Sequence, residues 1–273
     1  MTLYIVGTPI GNLKDITLRA LEVLKSVDRI YCEDTRVSKK LLSHYGIHTP
    51  LSAYHDHSGD KIELAIVAAL KEGKEIALIS DAGMPLISDP GFQLIKACQR
   101  EGLKTTVVPG ASSVIAGLAL SGMTPDRFLF GGFLPAKSGA RQTFLKSFHG
   151  TEATLIFFES ARRLIKSLDD VNAVFGNVEI AVCREMTKIY EEARRGHLSE
   201  ILDHYTQHPP KGEIVLLIES HKAPSTLNVE DELRQALQTL KTKDAAEHVA
   251  ALTGLPKKDL YAQALALKDS LDE

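Results

Sequence analysis

Four short stretches of this sequence concentrate residues able to bind or act on a small molecule. They are VGTPIGN (6–12), CEDTR (32–36), SDAGMPLISDPG (80–91) and VPGASS (108–113). Each follows a short apolar run and each is rich in Gly, Pro, Ser or Asp. Glycine lets a ligand approach the backbone, proline stiffens the loop, and hydroxyls and carboxylates supply hydrogen-bond groups. Any one of them alone reads as an ordinary tight turn; four at one sheet edge point to a pocket. Neither GxGxxG nor GxxxxGK[ST] occurs, so the usual phosphate-cradling devices are missing. Glu33, Asp34, Asp81 and Asp89 would repel phosphate and suit a ligand carrying hydroxyls, amines or positive charge. S-adenosylmethionine has those groups, as do other small polar ligands.

The elements that must position these loops follow from periodicity. Apolar runs at 3–7, 29–34, 51–56, 75–81 and 104–110 predict strands. Helical patterns lie between them at 15–26, 61–73 and 92–102, with Asp15 placed to cap the first and Gly73 and Gly102 ending the others. Strand and helix alternating at this spacing predict a parallel sheet covered on both faces. Ligands of such sheets bind beyond the carboxyl ends of the strands, where all four loops fall.

A helix at 109–123 leads out of this unit into a second α/β unit, read as a mixed sheet with strands at 127–133, 153–160, 179–186 and 213–220. A polar linker at 221–228 precedes three amphipathic helices with helix–turn–helix spacing, where Gly254 reads as a helix stop and Pro256 as a start. The expected division is 1–113, 114–222 and 223–273.

The 273 residues carry a net charge of −3, with 44% hydrophobic and 25% charged residues, the balance of a globular protein. No apolar run approaches the ~18 residues of a membrane helix, and the first residues carry no secretion signal. Cys32, Cys98 and Cys183 are odd in number and far apart, which predicts reduced thiols and a cytoplasmic protein. The pair His55 and His57 invites a metal, but no third ligand is evident and none is expected.

GTPIGNLKDITLRALEVLKSVD, CEDTR, SDAGMPLISDPG and VPGASS together resemble the tetrapyrrole methylase superfamily. Within it they resemble the bacterial 16S rRNA cytidine 2′-O-ribose methyltransferases, over essentially the whole chain. Corrin and porphyrin methylases usually carry a GDP-type sequence where this chain has Asp81-Ala82-Gly83, and they lack CEDTR. The resemblance implies two α/β domains with S-adenosylmethionine folded into the cleft between them, a small C-terminal helical appendage, a homodimer, and the small ribosomal subunit as substrate. It places Pro9, Ile10, Asp81, Gly83, Met84, Ser112 and Ser113 at the cofactor, with Phe158, Glu159 and Met186 from the second domain.

A ribose hydroxyl is a poor nucleophile at neutral pH, so a base or polarising group is sought among strand-end residues: Glu33, Asp34, Glu159 and Glu185. Arg36 either holds a substrate phosphate or pairs with Glu33 or Asp34. For RNA phosphates the first places to look are Lys137, Arg141, Arg162, Arg163, Arg194, Arg195, Lys257 and Lys258, which otherwise read as solvated surface. Two other functions compete. A same-fold enzyme would methylate a corrin or porphyrin precursor. A ligand sensor would bind nucleic acid through the C-terminal helices without catalysis. The last helices either engage substrate or clasp the second domain, burying residues such as Leu240, Val249, Leu260 and Leu265.

Overall fold

The structure is a computed structural model that describes residues 1–55, 60–220, 229–238, 240–253 and 256–269. His57, the linker at 221–228 and Gly254 lie outside the described residues.

The first unit runs β1 (Thr2–Val6), α1 (Leu18–Ser26), β2 (Arg29–Cys32), α2 (Thr35–His44), β3 (Leu51–Ala53), α3 (Asp60–Lys71), β4 (Glu75–Leu78), α4 (Phe92–Arg100) and β5 (Thr105–Val108). Its strands form one parallel sheet in the order β3-β2-β4-β1-β5. Alternation along the strands divides the core in two, because successive side chains point to opposite faces. Leu3, Ile5, Ile76 and Leu78 pack against α3 and α4 through Ile66, Leu70, Leu94 and Cys98. Val6, Ala77 and Ile79 face α1 and α2 through Ala20, Leu24 and Leu42. The cap of α1 differs from expectation. Ile16 is still extended, and the Thr17 hydroxyl accepts the N–H of Ala20 at 3.1 Å, while Asp15 sits in a short 3₁₀ turn before it.

The second unit comprises α5 (Ser113–Ser121), β6 (Phe128–Phe133), α6 (Ser138–Lys146), β7 (Ala153–Ser160), α7 (Leu164–Phe175), β8 (Glu179–Arg184), β9 (Glu192–His197), α8 (Leu198–Gln207) and β10 (Glu213–Ser220). Its sheet is mixed, in the order β6-β7-β10-β8-β9, with only β6 and β7 parallel. One face buries Leu155, Phe157, Val182 and Leu216 against α6, α7 and α8. The other buries Ile156, Ala181, Val215 and Leu217 against Val114 and Leu118 of α5. Gly117 lets α5 lie close to β10, since a Cβ there would stand 3.0 Å from Val215 Cγ1. Ile10, from the loop after β1, is buried in this same cluster with Met186.

Arg194 and Arg195 lie within the edge strand β9. Arg141, expected at an RNA phosphate or on solvated surface, instead lies in α6 and is 2% exposed. The Arg141 Nε donates to Asp170 Oδ2 at 2.7 Å, and its remaining nitrogens reach the carbonyls of Pro135, Ala136 and Lys166. Asp170 also accepts from Ser138 and Gln142. A guanidinium so enclosed has no surface for an RNA phosphate.

The C-terminal part holds α9 (Val229–Leu237), α10 (Thr242–Thr253) and α11 (Lys257–Asp269). Leu233, Ala236, Ala245, Ala246, Val249, Leu260 and Ala264 bury one another in a core of their own. Leu240 and Leu265 stay exposed. No described helix is long and apolar enough to cross a membrane.

The buried Arg141–Asp170 pair generates a stability prediction. Removing one partner strands a buried charge, so Asp170→Ala should cost about 3–5 kcal/mol. Denaturant midpoints measure it; a loss below about 1 kcal/mol would show that the guanidinium is satisfied by carbonyls alone.

Candidate functional site

The site is built where β1 lies between β4 and β5, so that the loops leaving their carboxyl ends meet. Gly7 and Gly110 touch backbone to backbone: a Cβ on Gly7 would fall 2.7 Å from Gly110 Cα, and one on Gly110 would fall 2.9 Å from Gly7 Cα. Thr8 and Gly83 then exchange two backbone hydrogen bonds, at 2.9 and 3.2 Å. The Thr8 hydroxyl adds a bond to the Ser80 carbonyl at 3.2 Å. Gly83 has φ +84°, a conformation that side chains with a Cβ rarely adopt.

Over this seam opens a cavity of about 380 Å³, within the size range of small-molecule sites. The first unit lines it with Ile10, Asp81, Gly83, Met84, Ser112 and Ser113. The second closes it with Phe158, Glu159, Glu185 and Met186. Phe158 meets Phe133 edge to face at 5.2 Å between ring centres, giving one wall an aromatic surface. Ser112 caps α5, so the first turn of that helix presents its backbone donors at the rim.

Nine of the ten residues named from sequence as cofactor contacts therefore line one cavity. The exception is Pro9, which is buried in its loop and does not border the space. Asp89, named from sequence among the acids suited to the ligand, lines the cavity too, and its neighbours Ile87 and Ser88 belong to a loop already singled out. Phe133 and the run Gly212–Val215 were not named from sequence. Gly212, with φ +88° just before β10, was a turn signal that went unread.

Of the carboxylates named as candidate bases, Asp34, Glu159 and Glu185 are held by fixed donors. Glu159 accepts from the Ser160 N–H, from Arg163 and from Ser167, and its side chain is fully buried. Burial pushes the Glu185 carboxyl up, but the Lys188 ammonium and the Glu213 backbone outweigh it and hold it below the ordinary range. Asp34 accepts the Arg36 guanidinium and the Arg36 N–H, which bring its carboxyl down to about 2. For Asp34 and Glu185 these donors favour the charged form, which makes a carboxylate a weaker proton acceptor. Glu33, Asp34 and Arg36 do not line the cavity. Of the alternatives for Arg36, the structure shows the pair with Asp34.

Backbone strain also collects here. Leu86, Ser88, Glu185 and Thr187 all have positive φ. They occupy the two loops that flank the cavity, the kind of place where such strain is retained. The second of these loops reaches the first unit, because the Thr187 hydroxyl accepts the Asn12 N–H at 2.9 Å.

The basic residues separate into engaged and exposed sets. Arg163 is tied to Glu159, Arg194 to Glu192, Arg195 to Glu179 and the Gly122 carbonyl, and Lys257 to Glu247. Lys137, Arg162 and Lys258 are exposed and form no ion pair among the described residues. His55 is exposed, and no cluster of three His, Cys, Asp or Glu residues suited to a metal occurs among the described residues.

Residues 2–202 match the family model of tetrapyrrole (corrin/porphyrin) methylases, and residues 223–268 match that of the RsmI C-terminal HTH domain. The chain is 52% identical over 268 residues to ribosomal RNA small subunit methyltransferase I of Erythrobacter litoralis, covering 97% of this chain and 95% of the relative. The chain belongs to the ribosomal RNA small subunit methyltransferase I family. Its counterpart from Mesorhizobium japonicum is 46% identical over 275 residues, with 99% and 94% covered. Among solved structures, a diphthine synthase superposes with a TM-score of 0.62 at 15% identity, over 80% of this chain and 89% of that one. At that identity the likeness shows the fold alone. The family membership and the two packed sheets agree with the fold expected from sequence.

The glycine seam generates a prediction. Gly7→Ala and Gly110→Ala each force two backbones apart and should cost about 1–3 kcal/mol. Gly139→Ala, at a helical position with open space around it, should be neutral or stabilising by about 1 kcal/mol. Equal denaturation midpoints for all three would show that the seam tolerates separation.

Proposed function

We propose that this protein is an S-adenosylmethionine-dependent methyltransferase that methylates the 2′-hydroxyl of a cytidine ribose in 16S rRNA of the small ribosomal subunit. The observation that carries the reading is near-full-length identity to proteins named ribosomal RNA small subunit methyltransferase I. The choice of ribose 2′-oxygen and of cytidine rests on the CEDTR and SDAGMPLISDPG resemblance.

The cavity suits the donor in chemistry as well as size. S-adenosylmethionine would supply an electrophilic methyl group on a sulfonium and carries no phosphate. Asp81 and Asp89 favour its cationic and hydroxyl groups, and Phe158 and Phe133 offer a face for its purine. Ile10, Met84, Met186 and Ile214 supply apolar lining that limits water. Holding the acceptor oxygen in line with the methyl carbon and sulfur is the chain's main task, and such alignment is worth up to about 7–11 kcal/mol. With Asp34, Glu159 and Glu185 all committed to fixed donors, positioning carries more of the rate than proton abstraction by any of them.

We read the chain as three working parts: 1–113 and 114–222 around the donor, and 223–273 for substrate engagement. A homodimer, which the resemblance implies, and a cytoplasmic location complete the proposal. The self-contained core of the last three helices supports a separate task for them.

Labelled methyl incorporation into unmodified small subunits tests the activity. The expected product resists alkaline cleavage at one phosphodiester, because the neighbouring hydroxyl is blocked; label on a base, or on a tetrapyrrole instead, overturns the assignment. Asp81→Ala removes a charged hydrogen-bond group and should weaken S-adenosylmethionine about ten- to a hundredfold by calorimetry. Gly83→Val should do the same by straining the seam, and unchanged affinity in both would move the site elsewhere.

Substrate binding should depend on salt despite the net negative charge. Lys137→Ala, Arg162→Ala and Lys258→Ala should each lower the log–log salt slope by about 0.7–0.9. Unchanged slopes would return these residues to plain surface.

A further inference from the structure

Asp34 and Arg36 carry a signature that looks catalytic, yet neither borders the cavity, and the Arg36 side chain is 86% exposed. Their geometry gives them another task. Strands β2 and β4 are neighbours, so the turn after β2 lies beside the loop after β4. There the Asp34 backbone N–H donates to Asp81 Oδ1 at 3.0 Å across 47 residues of sequence. Asp34 is the N-cap of α2: its carbonyl accepts the Ser38 N–H at 3.0 Å, and its Oδ1 accepts the Arg36 N–H at 2.8 Å. The Arg36 guanidinium then grips the same carboxylate, with Nε at 3.0 and 3.1 Å from its oxygens and Nη2 at 2.6 Å from Oδ2. The cap fixes the φ and ψ of Asp34, and with them the direction of its N–H.

We propose that Asp34 is a positioning residue for the donor site, which acts through its backbone N–H to orient the Asp81 carboxylate, with Arg36 as the lock on the cap. The proposal rests on the reading of the cavity as the S-adenosylmethionine site. It explains why a capping aspartate and an arginine stand together: the ion pair neutralises the Asp34 side chain, so the charge of Asp81 does not face a second free carboxylate. It also assigns Asp81 a division of labour. One oxygen is spent on the Asp34 N–H, and the carboxylate thereby aimed serves the ligand.

The test uses the full chain, with S-adenosylmethionine affinity by calorimetry and methyl transfer to small subunits in parallel. Asp34→Ala removes the cap and should weaken S-adenosylmethionine about five- to tenfold, with KM for the donor rising and kcat retained. Asp34→Asn, a good cap, should recover affinity to within about twofold. Arg36→Ala, at an exposed position that leaves the core intact, should weaken affinity about two- to threefold. Neither Ala variant should add to the loss already present in Asp81→Ala, because both act through that carboxylate. Full additivity with Asp81→Ala would overturn the proposal, as would a fall in kcat at unchanged donor affinity in Asp34→Asn. If Asp34→Ala fails to fold, the Arg36→Ala cycle decides by the same criterion. A wild-type chain that binds no S-adenosylmethionine would refute the site reading itself, an outcome distinct from normal binding with unaffected variants.

Discussion

The contact of Gly7 with Gly110, continued by the paired bonds of Thr8 and Gly83, is the constraint on which the rest of the site is built. Parallel strands leave their carboxyl-end loops free to diverge. Here the loops after β1, β4 and β5 are drawn together by backbone contact, which only residues without a Cβ permit at Gly7 and Gly110. With the loops so joined, Asp81, Met84 and Ser112 converge on one space. Ile10, carried past the seam, reaches the core of the second unit. The cavity is thus a consequence of backbone packing, and its side chains decorate a shape already set.

A second layer of constraint is electrostatic. Two of the acids that line the cavity are held by named donors, Glu159 by Arg163 and Ser167 and Glu185 by Lys188, and outside it Asp34 is held by Arg36. The lining thus carries the carboxylates of Asp81, Asp89, Glu159, Glu185 and Glu213. Such a lining favours a cationic ligand over an anionic one.

Most of the first unit was legible in the sequence because its strands are apolar runs that end on Gly, Pro, Ser or Asp, and because its helices show a clean apolar face. The cavity residues were legible for the same reason, with the family pattern narrowing the ligand. What was hidden had physical causes. Strand β9 reads EARRGH. It sits at a sheet edge with alternate residues half-covered, so no apolar run announces it. Helix α6 begins Ser-Gly and carries few apolar residues, and it resembles a loop until α7 packs on it. The burial of Arg141 was invisible because its partner Asp170 lies 29 residues away. Pro9, which the resemblance places at the cofactor, is buried in its loop and does not border the cavity.

Strand β10 stands at the centre of the second sheet, between β7 and β8, and it is the last strand among the described residues. Neither β7 nor β8 has the other as a neighbour. During synthesis the two therefore wait, each with an unpaired edge, until residues 213–220 have emerged. The apolar side of α5 waits with them, since its seat on Val215 is made last. Contacts this distant in sequence slow folding and prolong exposure of strand edges. The chain's growing state is thus most vulnerable to wrong pairing just before its final strand arrives, and a truncation within β10 would remove the centre of the sheet, not its margin.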